Sequence, residues 1–212
     1  MPAESAILPA ETPADRRREE VLAAAAECFM QKGYENTSMD DVAERLGATK
    51  GRVYHHFNSK PELFFAVYRR AMDMLTQAVA PAVSRPGLAG DRLRDMAQTH
   101  ALTLMESLPF QRTAALAPDL WRFGRAAEHQ ATLSDLIMLR DIYEALFRRV
   151  LEDGARDGSL RRFPEAALAS RTLLGALNWV AVWYQPRPGE GAAERRTLAA
   201  TIAETVLSGY RA

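Results

Sequence analysis

Apolar residues along this chain recur every three or four positions with charged residues between them, a spacing that predicts amphipathic helices. The first stripe holds Val21, Leu22, Ala25, Cys28 and Phe29; Thr12, Pro13 and Asp15 mark its start and Gly33 its end. Val42, Ala43 and Leu46 make a second, short stripe, and Val53 with Phe57 anchors a third. Leu63, Phe64, Val67, Tyr68, Ala71, Met72 and Leu75 line one face of a long fourth helix reaching about Val79, beyond which Pro81, Pro86, Gly87 and Gly90 interrupt the pattern. Asp91 can cap the next helix, which carries Leu93, Met96, Ala97, Leu104 and Leu108. Pro109 and Pro118 bracket a shorter segment, and Leu133, Leu136, Ile137, Leu139, Tyr143, Leu146, Phe147, Val150 and Leu151 predict a long central helix from about Ala126 to Asp157. The run from Leu173 to Trp183 is apolar almost all round, and a last helix is predicted from about Ala192 to Gly209. Strand-like alternation, hairpin signals and fixed repeats are missing from the pattern. The expected fold is all-α, with about nine helices.

The joints around the third stripe carry the most specific signal. Ser38 can cap a new helix and Asp41, three residues on, suits its positive end; Gly47 can take the left-handed conformation that closes it. Thr49 then caps another helix only two residues later, so the two helices must cross steeply rather than run on. That is helix-turn-helix geometry, and it makes double-stranded DNA the expected partner. The second of these helices, roughly Lys50 to His56, is far shorter than the ~12 to 15 residues at which an isolated helix is marginal, so packing must hold it. With Val53 and Phe57 turned inward, Lys50, Gly51, Arg52, Tyr54 and His55 remain largely outward. Arginine can pair in bidentate fashion with guanine, lysine and tyrosine can reach phosphates or base edges, and Gly51 permits close backbone approach. Ser59-Lys60-Pro61-Glu62 reads as a capping box opening the fourth helix, whose free N–H groups lie beside Lys60 and suit a phosphate. Arg16, Arg17 and Arg18 oppose the dipole of the first helix, to be balanced either by an acidic partner or by solvent.

Charge narrows how such a surface works. The 212 residues carry 27 basic and 27 acidic side chains, unlike a protein that coats DNA without regard to sequence. Residues 16 to 60 are nearly balanced too, with eight Lys or Arg (16, 17, 18, 32, 45, 50, 52, 60) against seven Asp or Glu (19, 20, 27, 35, 40, 41, 44). Affinity is therefore expected from a few placed contacts and from pairing of subunits. The single cysteine, Cys28, excludes an internal disulfide and sits among apolar helix positions. The N-terminal stretch lacks the basic and apolar regions of a signal peptide and no segment reads as a membrane span, so the expected location is cytoplasmic. Residues 1–14 are expected to be a disordered arm, 15–60 a DNA-binding domain and 61–212 a ligand-binding and dimerisation domain.

Gly33-Tyr34, Thr37, Asp41-Val42-Ala43, Leu46-Gly47, the run Val53-Tyr54-His55-His56-Phe57, and Ser59-Lys60 with Leu63 resemble the tetracycline-repressor (TetR) family of bacterial transcription regulators over roughly residues 15 to 75. The resemblance implies a three-helix DNA-binding domain, a larger helical ligand domain, and a homodimer that leaves its palindromic operator when a small molecule binds. It also implies that Thr37, Tyr54 and Lys60 contact phosphates, while Thr49, Lys50, Arg52 and His55 lie on or near the recognition surface. A homodimer also follows from the all-round apolar helix, where Gly175 and Ala176 permit close approach of a second copy.

For a ligand, Leu104, Met105, Trp121, Met138, Tyr143, Phe147, Trp179 and Trp183 lie on helices that would surround an interior, with His100 and Asn178 as polar anchors. Core packing explains most of them, and His100 reads first as a hydrogen-bonded core histidine. Leu139-Arg140-Asp141 with Tyr143 and Phe147, Asp157-Gly158, and Leu174 to Trp179 followed by Trp183-Tyr184 are similar to TetR-family regulators of fatty-acid and sterol catabolism. That similarity implies a lipophilic effector of the acyl-coenzyme A class, with Arg140, Arg148, Arg171 and Arg187 as candidate phosphate donors. The four histidines (55, 56, 100, 129) show no metal spacing, and GxSxG, GxxxxGK[ST] and GxGxxG are missing, so neither a catalytic residue nor a metal or cofactor is expected. An activator, a helical small-molecule-binding protein and an all-α enzyme stay open as alternatives.

Overall fold

Three of the first four helix starts are set by caps in the local sequence. The computed structural model describes residues 12–115 and 130–212. Helix α1 (Pro13–Lys32) opens on a capping box in which the Thr12 hydroxyl accepts from the Asp15 N–H at 3.1 Å and the Asp15 carboxylate accepts from the Thr12 N–H at 3.0 Å. It thus begins inside the stretch read as an arm; residues 1–11 lie outside the described residues. Helix α2 (Met39–Arg45) opens on the same device, Ser38 with Asp41, and the chain turns after it at Gly47, whose φ of +64° suits glycine. Helix α3 (Lys50–Tyr54) starts after Thr49, but the Thr49 hydroxyl makes no capping bond; the Thr49 carbonyl accepts from Arg52 N–H at 3.0 Å in a tight turn, and buried Val53 and Phe57 hold the helix down. Helix α4 (Lys60–Val83) is capped by the Ser59 hydroxyl, while the Glu62 carboxylate reaches past Ser59 to the Asn58 N–H at 2.9 Å. Pro81 falls in its last turn, and buried Val83 carries the helix beyond the expected stop.

Helix α5 (Ala89–Glu106) begins two residues before Asp91, because its cap comes from elsewhere: the Asp157 carboxylate accepts from the Ala89 N–H at 2.8 Å and the Ser159 hydroxyl from the Gly90 N–H at 2.9 Å. Helices α6 (Leu108–Ala115), α7 (Gln130–Asp157), α8 (Ala166–Asn178), α9 (Val180–Trp183) and α10 (Ala192–Leu207) follow. The run expected as one helix from Leu173 to Trp183 is interrupted at Trp179, where Val182 N–H bonds back three residues to the Trp179 carbonyl. Counting α8 and α9 as one interrupted helix, the described residues form nine helices.

Helix α5 runs through the middle, packed by α4, α7, α8 and α10, with Leu93, Met96, Ala97 and Ala101 fully buried. Helix α1 packs on α4, where Phe64 meets Phe29 edge-on at 5.3 Å and Tyr34 at 5.0 Å, and α2 packs on α1 and α3 on α2. At the opposite end Leu160 folds over Gly154 so closely that an added Cβ would stand 2.4 to 2.7 Å from its side-chain carbons. Gly154→Ala should therefore lower the unfolding free energy by about 1–3 kcal/mol through overpacking, read as a shift in urea midpoint; an unchanged midpoint would show that Leu160 moves aside freely.

Candidate functional site

Two features stand out: an outward face on α3 and a cavity 620 Å³ in volume bounded by α4 to α8. On α3, Lys50, Gly51, Tyr54 and His55 are exposed, as is Thr49 before it, and Arg52 is half-buried. Both cations are engaged: Lys50 Nζ lies 2.9 Å from Asp40 of α2, and the Arg52 guanidinium is paired with Glu20 of α1. Lys50 also stands 5.7 Å from the centre of the Tyr54 ring.

Two further candidate DNA-contact residues, Thr37 and Lys60, are bonded to backbone carbonyls. Thr37 is 2 % exposed, and its hydroxyl donates to the carbonyls of Gly33 at 2.7 Å and Cys28 at 3.2 Å, tying the end of α1 to the start of α2. Lys60 Nζ donates to the carbonyls of Tyr34 at 2.9 Å and Glu35 at 3.2 Å and lies 4.5 Å from the Tyr34 ring centre, pinning the α1–α2 loop against α4. Lys32 and the Ser38 cap hold the Asp41 carboxyl well below the usual carboxylate range, and burial lowers the His56 pKa.

The cavity is lined by apolar side chains, among them Met72 and Leu75 of α4, Leu104 of α5, Leu133 and Leu136 of α7, and Leu174 of α8. Its inner wall is polar. The Tyr143 hydroxyl lies 2.7 Å from His100 Nδ1, and His100 Nε2 lies 3.1 Å from Asn178 Oδ1. An amide oxygen only accepts, so Nε2 carries the proton and the Tyr143 hydroxyl donates to Nδ1. Gln111 of α6 gives its amide hydrogens to the Ala71 carbonyl at 3.1 Å and the Ser107 hydroxyl at 3.2 Å, leaving Oε1 without a described donor. Arg140 stands at the rim, its side chain 59 % exposed.

Of the candidate ligand residues, Leu104, Tyr143 and Asn178 line this cavity. His100, Met105 and Phe147 are buried behind it, His100 in the second layer as partner of Tyr143 and Asn178. Met138, Trp179 and Trp183 point outward, at 54 %, 62 % and 46 % exposure. Trp121 lies outside the described residues. Sequence reading missed Gln111 as a lining residue and took Tyr68, Met72 and Leu75 only as the apolar face of α4. Helical spacing told that these three face inward, but not that the inside is partly empty.

Burial pushes the His100 pKa down to about 4. The folded protein therefore favours the neutral ring, while the unfolded chain takes up a proton near 6.5, so stability falls as pH drops from about 6.5 towards 4. Between pH 7 and 4 the wild type should lose on the order of 3 kcal/mol more than His100→Gln. His56 shifts the same way, but it is present in both proteins and cancels in that difference. Parallel pH dependences in urea titrations would contradict the neutral, buried assignment.

Outside the cavity Leu168, Trp179 and Trp183 of α8 and α9 form an exposed apolar face with Gly175 and Ala176 between them, beside half-buried Leu198 and Ile202 of α10. Helix α6 links the parts. The Thr113 hydroxyl donates to the Ala26 carbonyl of α1 at 3.3 Å, and Arg112 donates to the carbonyls of Ala181 at 2.8 Å and Tyr184 at 2.7 Å at the end of α9.

Residues 21–67 match the family model for bacterial regulatory proteins of the tetR family, and residues 87–210 match the tetracyclin repressor-like C-terminal domain. The chain belongs to the TetR family. Its TetR-family relatives include the transcriptional repressor KstR2 of Rhodococcus jostii, 32 % identical over 195 residues that cover 91 % of this chain and 90 % of the relative. The transcriptional activator FasR of Mycolicibacterium smegmatis is 42 % identical over 82 residues, and the chain spans 37 % of that protein's length. Among solved structures, the TetR-family regulator PfmR of Thermus thermophilus superposes with a TM-score of 0.74 at 31 % identity, covering 89 % of this chain and 97 % of that one. AibR in complex with isovaleryl coenzyme A and operator DNA has a TM-score of 0.67 at 20 % identity, over 88 % of this chain and 97 % of that one, a likeness of fold. This TetR-family chain is thus a transcription regulator and not an enzyme. Among the described residues no helix is long and apolar enough to cross a membrane.

Proposed function

We propose that this protein is a transcriptional repressor that binds a palindromic operator as a homodimer and is released by a lipophilic small molecule of the acyl-CoA class. The observation that carries this reading is the path of α4: its first turns pack on α1 and, through Lys60, hold the α1–α2 loop, while Tyr68, Met72 and Leu75 further along it line the cavity. A molecule that fills the cavity must press on the same rigid helix that holds α1 and the α1–α2 loop, on which the helix-turn-helix is built. The division into a DNA-binding domain at 15–60 and a ligand and dimerisation domain at 61–212 follows, with α4 as the shared element. Thr49, Lys50, Gly51, Arg52, Tyr54 and His55 form the reading surface; Thr37 and Lys60 support it from behind.

The apolar walls suit an acyl or polycyclic chain, buried Gln111 and exposed Asn178 suit a hydroxyl and a carbonyl along it, and Arg140 at the rim suits a phosphate. Repression, rather than activation, is favoured by the relative matched over nearly the whole chain. Calorimetry and operator-binding assays with a series of acyl-CoA thioesters test the effector class. At least one thioester should bind and lower operator affinity about tenfold or more, a coupling within the usual allosteric range. Ala114→Trp, which places an indole in the cavity, should abolish thioester binding in calorimetry and with it any further change in operator affinity on adding the thioester. Absence of binding across the series would remove the acyl-CoA proposal.

A further inference from the structure

The two cations of α3 are not free in this structure. Lys50 and Arg52 each hold a carboxylate brought by a neighbouring helix, Asp40 from the first turn of α2 and Glu20 from α1. Asp40 and Glu20 are 64 % and 55 % exposed, so they sit on the outer surface rather than in support behind it. The 2.9 Å separation of Lys50 Nζ and Asp40 is that of a charge-assisted hydrogen bond to a phosphate oxygen. Other cations around the helix-turn-helix are engaged in the same way: Lys32 with Asp41, Arg45 with Glu27, and Arg70 with Glu19. Arg16, Arg17 and Arg18 carry no ion pair among the described residues, and their place is the first turn of α1.

We infer that Asp40 and Glu20 act as phosphate stand-ins that mask the reading helix, suppressing attachment to DNA of arbitrary sequence and so setting the protein's specificity. The inference rests on α3 being the reading head. On a random duplex a phosphate offers Lys50 or Arg52 little more than the carboxylate already does, and the displaced carboxylate would be left beside the phosphate backbone. At a cognate site the exchange is no longer even, because a guanine gives Arg52 two acceptors in one plane and Tyr54 meets its own contact. The masks therefore weaken wrong complexes more than the right one.

Each exposed pair shifts an equilibrium only a fewfold, but a dimer carries four of them. The experiment is fluorescence anisotropy of the full-length protein with an operator duplex and a scrambled duplex over ~50 to 200 mM salt, a range in which phosphate contacts dominate the response. The proteins are the wild type, the Asp40→Asn/Glu20→Gln double variant and Tyr54→Ala, with thermal melts to confirm folding. The double variant should bind the scrambled duplex roughly tenfold more tightly at low salt, with a steeper salt dependence and a smaller operator-to-scrambled ratio. Unmoved affinity and slope on the scrambled duplex would overturn the masking. So would a loss of operator affinity alone, which would make the acids positioning residues for the two cations. Tyr54→Ala separates the two levels: if it binds operator as the wild type does, the reading-head assignment fails and the masking falls with it.

Discussion

A Trp179→Glu/Trp183→Glu variant should run as a monomer in light scattering and bind its operator about a thousandfold more weakly than the wild type, since one half-site alone lies near the non-specific range. Both indoles are largely exposed in the single chain, and with Leu168 they make an apolar face no isolated globule needs. Aromatic side chains bury roughly 150–250 Å² each, so four tryptophans from two copies supply a large share of an interface. Glutamates placed there would have to lose their water without a partner, which costs several kcal/mol per group. Neither indole packs into the core, so circular dichroism and the thermal midpoint of the variant should stay close to the wild type. A dimeric variant with unchanged operator affinity would move the interface elsewhere.

Tyr54→Ala should weaken operator binding between about thirtyfold and twenty-five-thousandfold, because one specific contact is worth ~1–3 kcal/mol and each dimer loses two. Tyr54 is 41 % exposed, and its only described partner is the passing Lys50 ammonium, so the substitution leaves the core intact. Anisotropy with the operator duplex checks the loss. Val53 next to it is fully buried, and Val53→Ala would act through folding instead. If Tyr54→Ala kept full affinity while Val53→Ala lost it, α3 would be a structural strut and the reading surface would lie elsewhere.

How much of this was legible in the sequence depends on how local each cause is. Thr12 with Asp15, Ser38 with Asp41, and Gly47 act within one turn of themselves, and the helices they bound stand where the pattern put them. The start of α5 was not legible from Asp91, because its cap is Asp157 and Ser159, distant in the chain. The same holds for the backbone-carbonyl partners of Thr37 and Lys60, two residues that the family resemblance assigns to phosphates: those carbonyls are presented by the folded α1–α2 corner. The outward α3 face was readable once Val53 and Phe57 were recognised as anchors; its pairing with Glu20 and Asp40 needed three helices in place. In the cavity, periodicity separates inside from outside but cannot distinguish a filled interior from a hollow one. Thus Tyr143 and Asn178 line the space while His100 and Phe147 support it, and Trp179 and Trp183 face away.

The most direct test is to sequence genomic DNA fragments selected by the purified protein. A dimeric regulator reading through α3 should enrich a single inverted repeat whose half-sites Tyr54→Ala no longer selects. Recovery of unrelated fragments with no shared repeat, or of the same repeat by Tyr54→Ala, would contradict it.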